Sequence, residues 1–148
     1  MTLTKKIYAD MVAAMKAKEN IKKETLRLLY SEIKNQAKDT GKDVPDNGVL
    51  KLIKSALKKR HDALAIFQQA GRAELVDQAK TEIDVLEVYL PQQLSESELA
   101  KIISDTIQSL GAAGPKDTGR IIKEIMLHYG MQTDGKKVQK LVSAHFSN

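Results

Sequence analysis

Proline occurs at only three positions of this 148-residue chain, 45, 91 and 115, so long stretches contain no helix breaker. Within those stretches apolar residues recur at spacings of three and four, which places them on one face of a helix. Aromatic residues make up 4% of the chain and alternating β-branched runs are missing, so strands have little support. The sequence therefore predicts an all-α fold. The most regular stripe consists of Val76, Ala79, Ile83, Leu86 and Leu90.

Seven helices follow from this spacing and from the residues that interrupt it. Glycines at positions 41, 71, 111 and 130 mark helix ends, together with the three prolines. Asp134 is the predicted N-cap of the last helix, whose apolar stripe runs from Val138 to Phe146. The predicted helices cover residues 3–18, 20–39, 46–70, 72–90, 95–110 and 117–129, and a final segment that follows residue 134.

The fifth helix has a recognisable start. Pro91 closes the fourth helix because proline disfavours helical backbone at the preceding residue and has no amide donor. Ser95 and Glu98 then form the pattern of a capping box, in which Ser95 caps the Glu98 amide and the Glu98 side chain reaches back. Leu94 and Leu99 are spaced to pack on each other across this start. These signals predict that a new structural unit begins here.

Two domains are predicted on either side of this start. Four helices precede it and three follow it, and each group has several apolar stripes to bury. Two small bundles are favoured over one seven-helix core because the second group carries its own caps and turns. The predicted domains are a four-helix bundle at residues 1–92 and a three-helix bundle at residues 93–148.

Several classes of protein are excluded by what the sequence lacks. It has no cysteine, so disulfides, cysteine-ligated zinc, iron–sulfur clusters and thiol catalysis are excluded. No apolar run approaches the length of a membrane span, and the first residues lack the apolar run of a secretory signal. We therefore expect a cytoplasmic protein that holds no metal and no cofactor.

Positive charge is unevenly distributed along the chain. The net charge is +5, but residues 1–70 carry 15 basic and 8 acidic side chains, whereas residues 71–93 carry 2 and 5. Basic clusters of this kind neutralise phosphates in nucleic-acid-binding proteins. From charge alone, the simpler interpretation is a solvated helix face that keeps the protein soluble. The clusters are Lys51, Lys54 and Lys58, widened by Lys59 and Arg60; Arg120 and Lys123; and Lys136, Lys137 and Lys140.

Side chains able to perform chemistry are few and scattered. His61, His128 and His145 show no metal-ligand spacing, so structural or surface roles are the favoured interpretation. In the fourth helix, Glu82 and Glu87 are about 140° apart around the axis and do not converge on one site. We expect surface ion pairs here and not acid–base catalysis.

Two glycine positions in the last third of the chain have two interpretations each. Gly119 falls in the first turn of an apolar helix, where glycine costs stability relative to alanine. Close approach of another helix is the favoured explanation, and an anion at an exposed helix start is the alternative. Asp134-Gly135 is favoured as a turn with an N-cap, and the alternative is a backbone phosphate site beside Lys136 and Lys137.

Two groups of residues carry a resemblance to a known family. The first group is Lys58-Lys59-Arg60, Phe67, Ala70-Gly71-Arg72, Leu75, Glu82 and Tyr89-Leu90-Pro91-Gln92-Gln93-Leu94, and the second is Leu99, Asp117, Gly119, Asp134-Gly135 and Val138. Over essentially its whole length the chain resembles the stand-alone members of the GatB/YqeY family. It departs at residues 117–122, where the family often has Asp-Met-Gly-Lys-Val-Met, and at residues 130–135, where a family lysine is missing.

The resemblance implies a four-helix bundle followed by a three-helix bundle, and a link to tRNA. In that family the module forms the C-terminal tail of the B subunit of glutamyl/aspartyl-tRNA amidotransferase and is appended to some glutaminyl-tRNA synthetases. By association it also implies the label of a carbon–nitrogen ligase that uses glutamine as amido donor. Transamidation needs an ATP site and a glutaminase, and this chain has no phosphate loop, metal cluster or cysteine nucleophile. An accessory binding module is therefore expected, not an enzyme that acts alone.

We expect tRNA as the partner, together with an amidotransferase or an aminoacyl-tRNA synthetase, and neither DNA nor a membrane. Since few aromatic side chains are available to stack on bases, recognition is expected to depend on RNA shape and backbone. A helical adaptor that binds proteins and no nucleic acid is the alternative. Tyr89 and Pro91 are expected to fix the hinge between the bundles. The predicted phosphate contacts are Lys58, Lys59, Arg60, Arg72, Arg120, Lys123, Lys136, Lys137 and Lys140.

Overall fold

The computed structural model describes residues 1–147, and its regular secondary structure over that range is entirely helical. The all-α prediction is therefore confirmed. A short 3-10 helix, Pro115–Asp117, lies before the sixth α-helix. The α-helices are α1 (Leu3–Lys16), α2 (Asn20–Thr40), α3 (Asp46–Gln69), α4 (Ala73–Glu87), α5 (Glu96–Leu110), α6 (Thr118–Tyr129) and α7 (Gly135–Ser147).

Helix α4 ends earlier than its apolar stripe predicts. After Glu87 the amides of Tyr89 and Leu90 bond to carbonyl oxygens three residues back, at 3.3 and 3.1 Å. A tightened last turn of this kind is common at helix ends. Because the ring of Pro91 disfavours α-helical backbone at Leu90, the helix is already closing one turn before the proline.

The described chain divides into two compact units, one of Met1–Leu90 and one that begins at Pro91. The first contains α1 to α4 around a core in which Leu26, Ile53 and Leu86 are fully buried. The second contains α5 to α7 and has a core of its own. That the units are separate four-helix and three-helix bundles stays a prediction. The buried residues of the second core are Leu99, Ile103, Ile121, Ile125, Val138 and Val142.

The start of α5 is capped by Ser95. Its side-chain oxygen accepts a hydrogen bond from the Glu98 amide at 3.1 Å, as the sequence predicts. The Glu98 carboxylate also reaches back, where it accepts a hydrogen bond from the Ser95 hydroxyl at 2.9 Å. Leu94 packs against the core that contains Leu99. Ser95 thus satisfies one of the amides that a helix start leaves without a partner.

Replacing this cap should destabilise the second unit. We expect Ser95→Ala to lower the free energy of unfolding by about 0.5–2 kcal/mol, because the Glu98 amide loses its acceptor. Urea unfolding followed by circular dichroism measures the change. The matched control is Ser104→Ala, an exposed serine inside α5, which should be neutral or slightly stabilising. Equal losses from the two variants would contradict the capping role.

Candidate nucleic-acid interface

Three lysines near the start of α7 lie together on the solvent side of the helix. Lys136, Lys137 and Lys140 are exposed, whereas Val138 and Val142 are fully buried on the other side. On a regular helix the three lysines fall within about 100° of one another. None of the three has an ion-pair partner among residues 1–147. Their charges are therefore available to an external anion.

The turn before α7 is closed by its own carboxylate. The Asp134 side chain accepts a hydrogen bond from the Lys137 amide at 2.9 Å, and its carbonyl oxygen accepts from Val138 at 3.2 Å. Asp134 is therefore the N-cap, and the favoured interpretation of Asp134-Gly135 is confirmed. Since a carboxylate already occupies this amide, the alternative backbone phosphate site at the turn has no support in the structure.

The two basic residues of α6 differ in how freely they can act. Lys123 is exposed and has no ion-pair partner in the described chain. Arg120 is half-exposed, but its guanidinium lies 3.7 Å from the Asp117 carboxylate and donates a hydrogen bond to the Leu110 carbonyl oxygen at 3.2 Å. Arg120 therefore already ties the start of α6 to the end of α5.

The favoured explanation for Gly119 is wrong. A Cβ atom built at Gly119 meets no other atom within 4 Å beyond its neighbours and its own helix backbone, and the residue is exposed. No second helix approaches it among the described residues. The alternative, an anion at the exposed start of α6, stays a prediction.

The predicted basic cluster on α3 contains two kinds of residue. Lys58 and Lys59 are exposed and carry no ion pair within the described range. Arg60 lies about 160° from Lys58 around the helix, on the side of the buried Ile53 and Leu57. The structure therefore does not place Arg60 on the strip that Lys58 and Lys59 form.

Arg60 faces the neighbouring helix. Its side chain is 19% exposed, and its Nε lies 3.9 Å from the Glu82 carboxylate of α4, whose side chain is 23% exposed. It also donates a hydrogen bond to the Ala56 carbonyl oxygen at 3.4 Å. A shielded pair of this kind helps to hold α3 against α4 and leaves little of the guanidinium for an RNA phosphate. The expectation that Arg60 widens the lysine strip is therefore corrected.

Arg72 stands apart from the α3 lysines. It is exposed and immediately precedes α4. Between Lys58 and the last residue of α3, Gln69, the helix rises about 16 Å. Arg72 follows that end, so it does not share a single phosphate with Lys58.

Two of the three histidines lie near carboxylates, at separate places, and the groups do not converge on one site. His61 lies 4.0 Å from Glu87, and His128 lies 3.1 Å from Glu124 one turn away. Glu82 is engaged with Arg60 instead. No group of three such side chains within the described residues could hold a metal ion. Nor does any helix in residues 1–147 combine the length and apolar character that crossing a bilayer requires.

A basic stripe on α2 is not among the predicted contacts. Lys23, Arg27, Lys34 and Lys38 share one side of the helix with Tyr30, within about 80° of one another. We call these five residues the α2 stripe. The sequence signal that reveals it is the step of three or four residues from position 23 to position 38, the spacing that also marks an apolar stripe.

Comparison with known proteins finds similarity over nearly the whole chain. A family model described as "Yqey-like protein" matches residues 4–146. Curated fungal proteins named "Altered inheritance of mitochondria protein 41, mitochondrial" are also similar. The one from Pyrenophora tritici-repentis is 26% identical over 146 residues, which cover 94% of this chain and 80% of the relative.

Two further relatives of the same name are more similar over shorter stretches. The protein of Lachancea thermotolerans is 32% identical over 109 residues, 72% of this chain and 58% of its own length. The protein of Saccharomyces cerevisiae is 30% identical over 126 residues, 81% of this chain and 66% of its own length. The chain thus spans 58% of the first of these two relatives and 66% of the second.

The expected cytoplasmic location is contradicted by these names, which describe the relatives as mitochondrial. The expectation depended on the missing apolar run of a secretory signal. That feature does not distinguish cytoplasmic from mitochondrial proteins, because mitochondrial targeting peptides are amphipathic and arginine-rich, with no long apolar run.

Proposed function

This chain belongs to the Yqey-like protein family, and from that premise we propose that it is an accessory module that binds tRNA through its basic helix faces. Its partner enzyme in this proposal is an amidotransferase or an aminoacyl-tRNA synthetase, the two enzymes to which the GatB/YqeY resemblance points. The proposed architecture is two helical bundles, one formed by α1 to α4 and one by α5 to α7, joined at Leu90 and Pro91.

The observation that carries the proposal is the set of exposed cations without partners. Seven of the nine predicted phosphate contacts are exposed and have no ion pair in the part of the chain that the structure describes. A bound polyanion gains free energy from such cations because its counterions are released. The seven are Lys58, Lys59, Arg72, Lys123, Lys136, Lys137 and Lys140.

The chemistry of the described residues favours a role in tRNA binding for this chain and leaves catalysis to the partner enzyme. Exposed lysines supply binding energy to phosphates as point charges, and they carry no information about base sequence. His61 and His128 each lie near a single carboxylate, in separate parts of the chain, and form no common site. In this proposal the chain therefore holds the tRNA, and the activation of the acyl group and the release of ammonia belong to the partner enzyme.

Salt-dependent binding tests the proposal. Fluorescence anisotropy of labelled total tRNA should show an affinity that falls steeply as salt rises. The triple variant Lys136→Gln, Lys137→Gln, Lys140→Gln should bind about 10-fold or more weakly. The slope of the logarithm of the binding constant against the logarithm of the salt concentration, here called the salt slope, should also become shallower by about 2 to 3, because three phosphate contacts are lost.

A matched variant separates a localised site from net charge. Lys42→Gln, Lys80→Gln and Lys101→Gln remove the same charge from exposed lysines in three separate parts of the chain. This control variant should keep most of the affinity for tRNA. If it lost as much affinity as the α7 triple variant, net charge alone would explain the binding. No tRNA binding even at low salt would overturn the proposal. Salt-insensitive copurification of a protein would then support the adaptor alternative.

A further inference from the structure

Tyr8 of α1, which is exposed, packs beside Tyr30 of α2, which is half-buried. Their ring centroids are 5.1 Å apart and their planes are inclined by 44°. Tyr8 is 48% exposed, whereas Leu26 and Ile33 on the core side of α2 are buried. One large aromatic ring therefore faces solvent with a second ring packed beside it.

No hydrogen bond of the tyrosine hydroxyl groups within the described residues explains why the Tyr8 ring lies at the surface. Neither hydroxyl forms a hydrogen bond with another residue of the described range, in contrast to Tyr89, whose hydroxyl is bonded to Asp10. Exposed aromatic rings of this kind often belong to binding surfaces, because they offer a large, rigid contact area.

Free cations flank the pair. The Lys34 ammonium lies 5.5 Å from the centre of the Tyr30 ring, and Lys38 follows one turn later on the same stripe. On α1, Lys5 precedes Tyr8 by three residues and thus lies on the same face. All three lysines are exposed and without an ion pair among the described residues.

The positive charge in the N-terminal half of the α2 stripe is already partly neutralised by Glu24. Arg27 donates two hydrogen bonds to the Glu24 carboxylate, at 2.9 and 3.0 Å, and this contact lowers the pKa of Glu24. Lys23 lies 4.0 Å from the same carboxylate. The uncompensated positive charge of the stripe is therefore concentrated beside the tyrosines and in the C-terminal half of α2.

An aromatic ring between lysines fits one kind of ligand well. Single-stranded nucleic acid presents both an unpaired base that stacks on a ring and phosphates that lysines neutralise. Base-paired RNA keeps its bases stacked inside the helix, so it does not use the ring. From Tyr30 to Lys38 the helix rises about 12 Å, which suits a few nucleotides.

We propose that Tyr8 and Tyr30, with Lys5, Lys34 and Lys38, bind an unpaired RNA segment, one base of which stacks on Tyr8. The inference rests on the proposed function in that the partner is RNA, and it adds which part of the RNA this unit holds. It also revises the expectation that recognition depends on RNA shape and backbone, because it adds a base that stacks on an aromatic ring.

Tyrosine fluorescence gives a direct readout, because the chain has four tyrosines and no tryptophan. Titration with an oligouridylate of about ten nucleotides should quench this fluorescence as the base stacks. Tyr8→Ala should weaken binding of the oligomer about 5- to 150-fold, and Tyr8→Phe should restore it because the ring is kept. Lys34→Gln with Lys38→Gln should reduce the salt slope, whereas Lys42→Gln with Lys80→Gln should leave it unchanged.

The control for the aromatic change is Leu28→Ala. Leu28 is 46% exposed on α2, close to the exposure of Tyr8, and lies about 160° from Tyr30 around the helix. The Leu28→Ala variant should bind the oligomer with the affinity of the unaltered protein. Thermal unfolding by circular dichroism checks that each variant is folded before its affinity is compared.

The outcomes separate this inference from the proposed function. If the protein binds tRNA but Tyr8→Ala and Leu28→Ala bind oligouridylate equally well, only the inference is overturned. If the protein binds neither RNA at low salt, both are overturned. If polyglutamate binds with the same dependence on Tyr8, the surface is a site for acidic protein and the inference is overturned.

Discussion

Leu26→Ala should lower the free energy of unfolding by about 2–5 kcal/mol. Leu26 is fully buried in the core of the first unit, among side chains of several helices. Truncation to alanine removes buried methyl and methylene groups and leaves a cavity that the surrounding helices fill only in part. Urea unfolding followed by circular dichroism measures the loss.

Leu28→Ala is the matched control for this change. It removes the same atoms from the same helix two residues further on, where the side chain is 46% exposed. We expect a change within about 0.5 kcal/mol, because little apolar surface returns to water and alanine has the better helix propensity. Comparable losses at positions 26 and 28 would mean that α2 packs with a different face than the structure shows.

Tyr89→Phe should cost about 1.5–3 kcal/mol, although it removes a single oxygen atom. The Tyr89 hydroxyl donates a hydrogen bond of 2.6 Å to the Asp10 carboxylate across 79 residues of sequence. Tyr89 is 8% exposed and Asp10 is half-buried, so the phenylalanine variant leaves a poorly solvated carboxylate without its donor. Chemical unfolding of the variant measures the cost.

A double-mutant cycle with Asp10→Ala isolates this hydrogen bond from the other effects of each substitution. The two losses should be less than additive, with a coupling energy above about 0.5 kcal/mol. Strict additivity would contradict a direct contribution of the hydrogen bond to stability. The result also bears on the predicted hinge, because this bond anchors the last residues before Pro91 to α1.

The pH dependence of the Tyr89 contribution has a defined sign. Burial, followed by the hydrogen bond to Asp10, raises the pKa of Tyr89 above its ordinary value. The folded state thus favours the neutral phenol, and the contribution is complete below the unfolded pKa of about 10. As the pH rises above that value, the unfolded chain ionises first and the contribution is lost. The stability difference between the unaltered protein and Tyr89→Phe should therefore shrink above pH 10.

Helix positions could be predicted from the sequence because their signals are local. A stripe with steps of three and four specifies which residues share a face, and a cap such as Ser95 acts over three residues. The early end of α4 was not predicted, because the apolar stripe continues to Leu90 while the backbone has already tightened. The spacing of apolar residues predicts which side chains are buried, but it does not predict the backbone hydrogen bonds with which a helix ends.

The candidate site was predictable only in part. The spacing of Lys136, Lys137 and Lys140 already places them on one face, and all three are exposed. Arg60 was misjudged because counting charges treats every arginine as solvated. Its position among core residues of α3 was visible in the sequence, but its approach to Glu82 requires the packing of α3 on α4.

The sequence by itself determined the all-α class, the placement of the helices and the clustering of basic residues, because each depends on residues within a few positions of one another. The tertiary structure decided which cations remain free, which one is shielded, and that Tyr8 meets Tyr30 beside Lys34. Those outcomes depend on how one helix is rotated against its neighbour. A periodic pattern specifies the buried face of a helix, but it does not specify which residue of another helix packs against it.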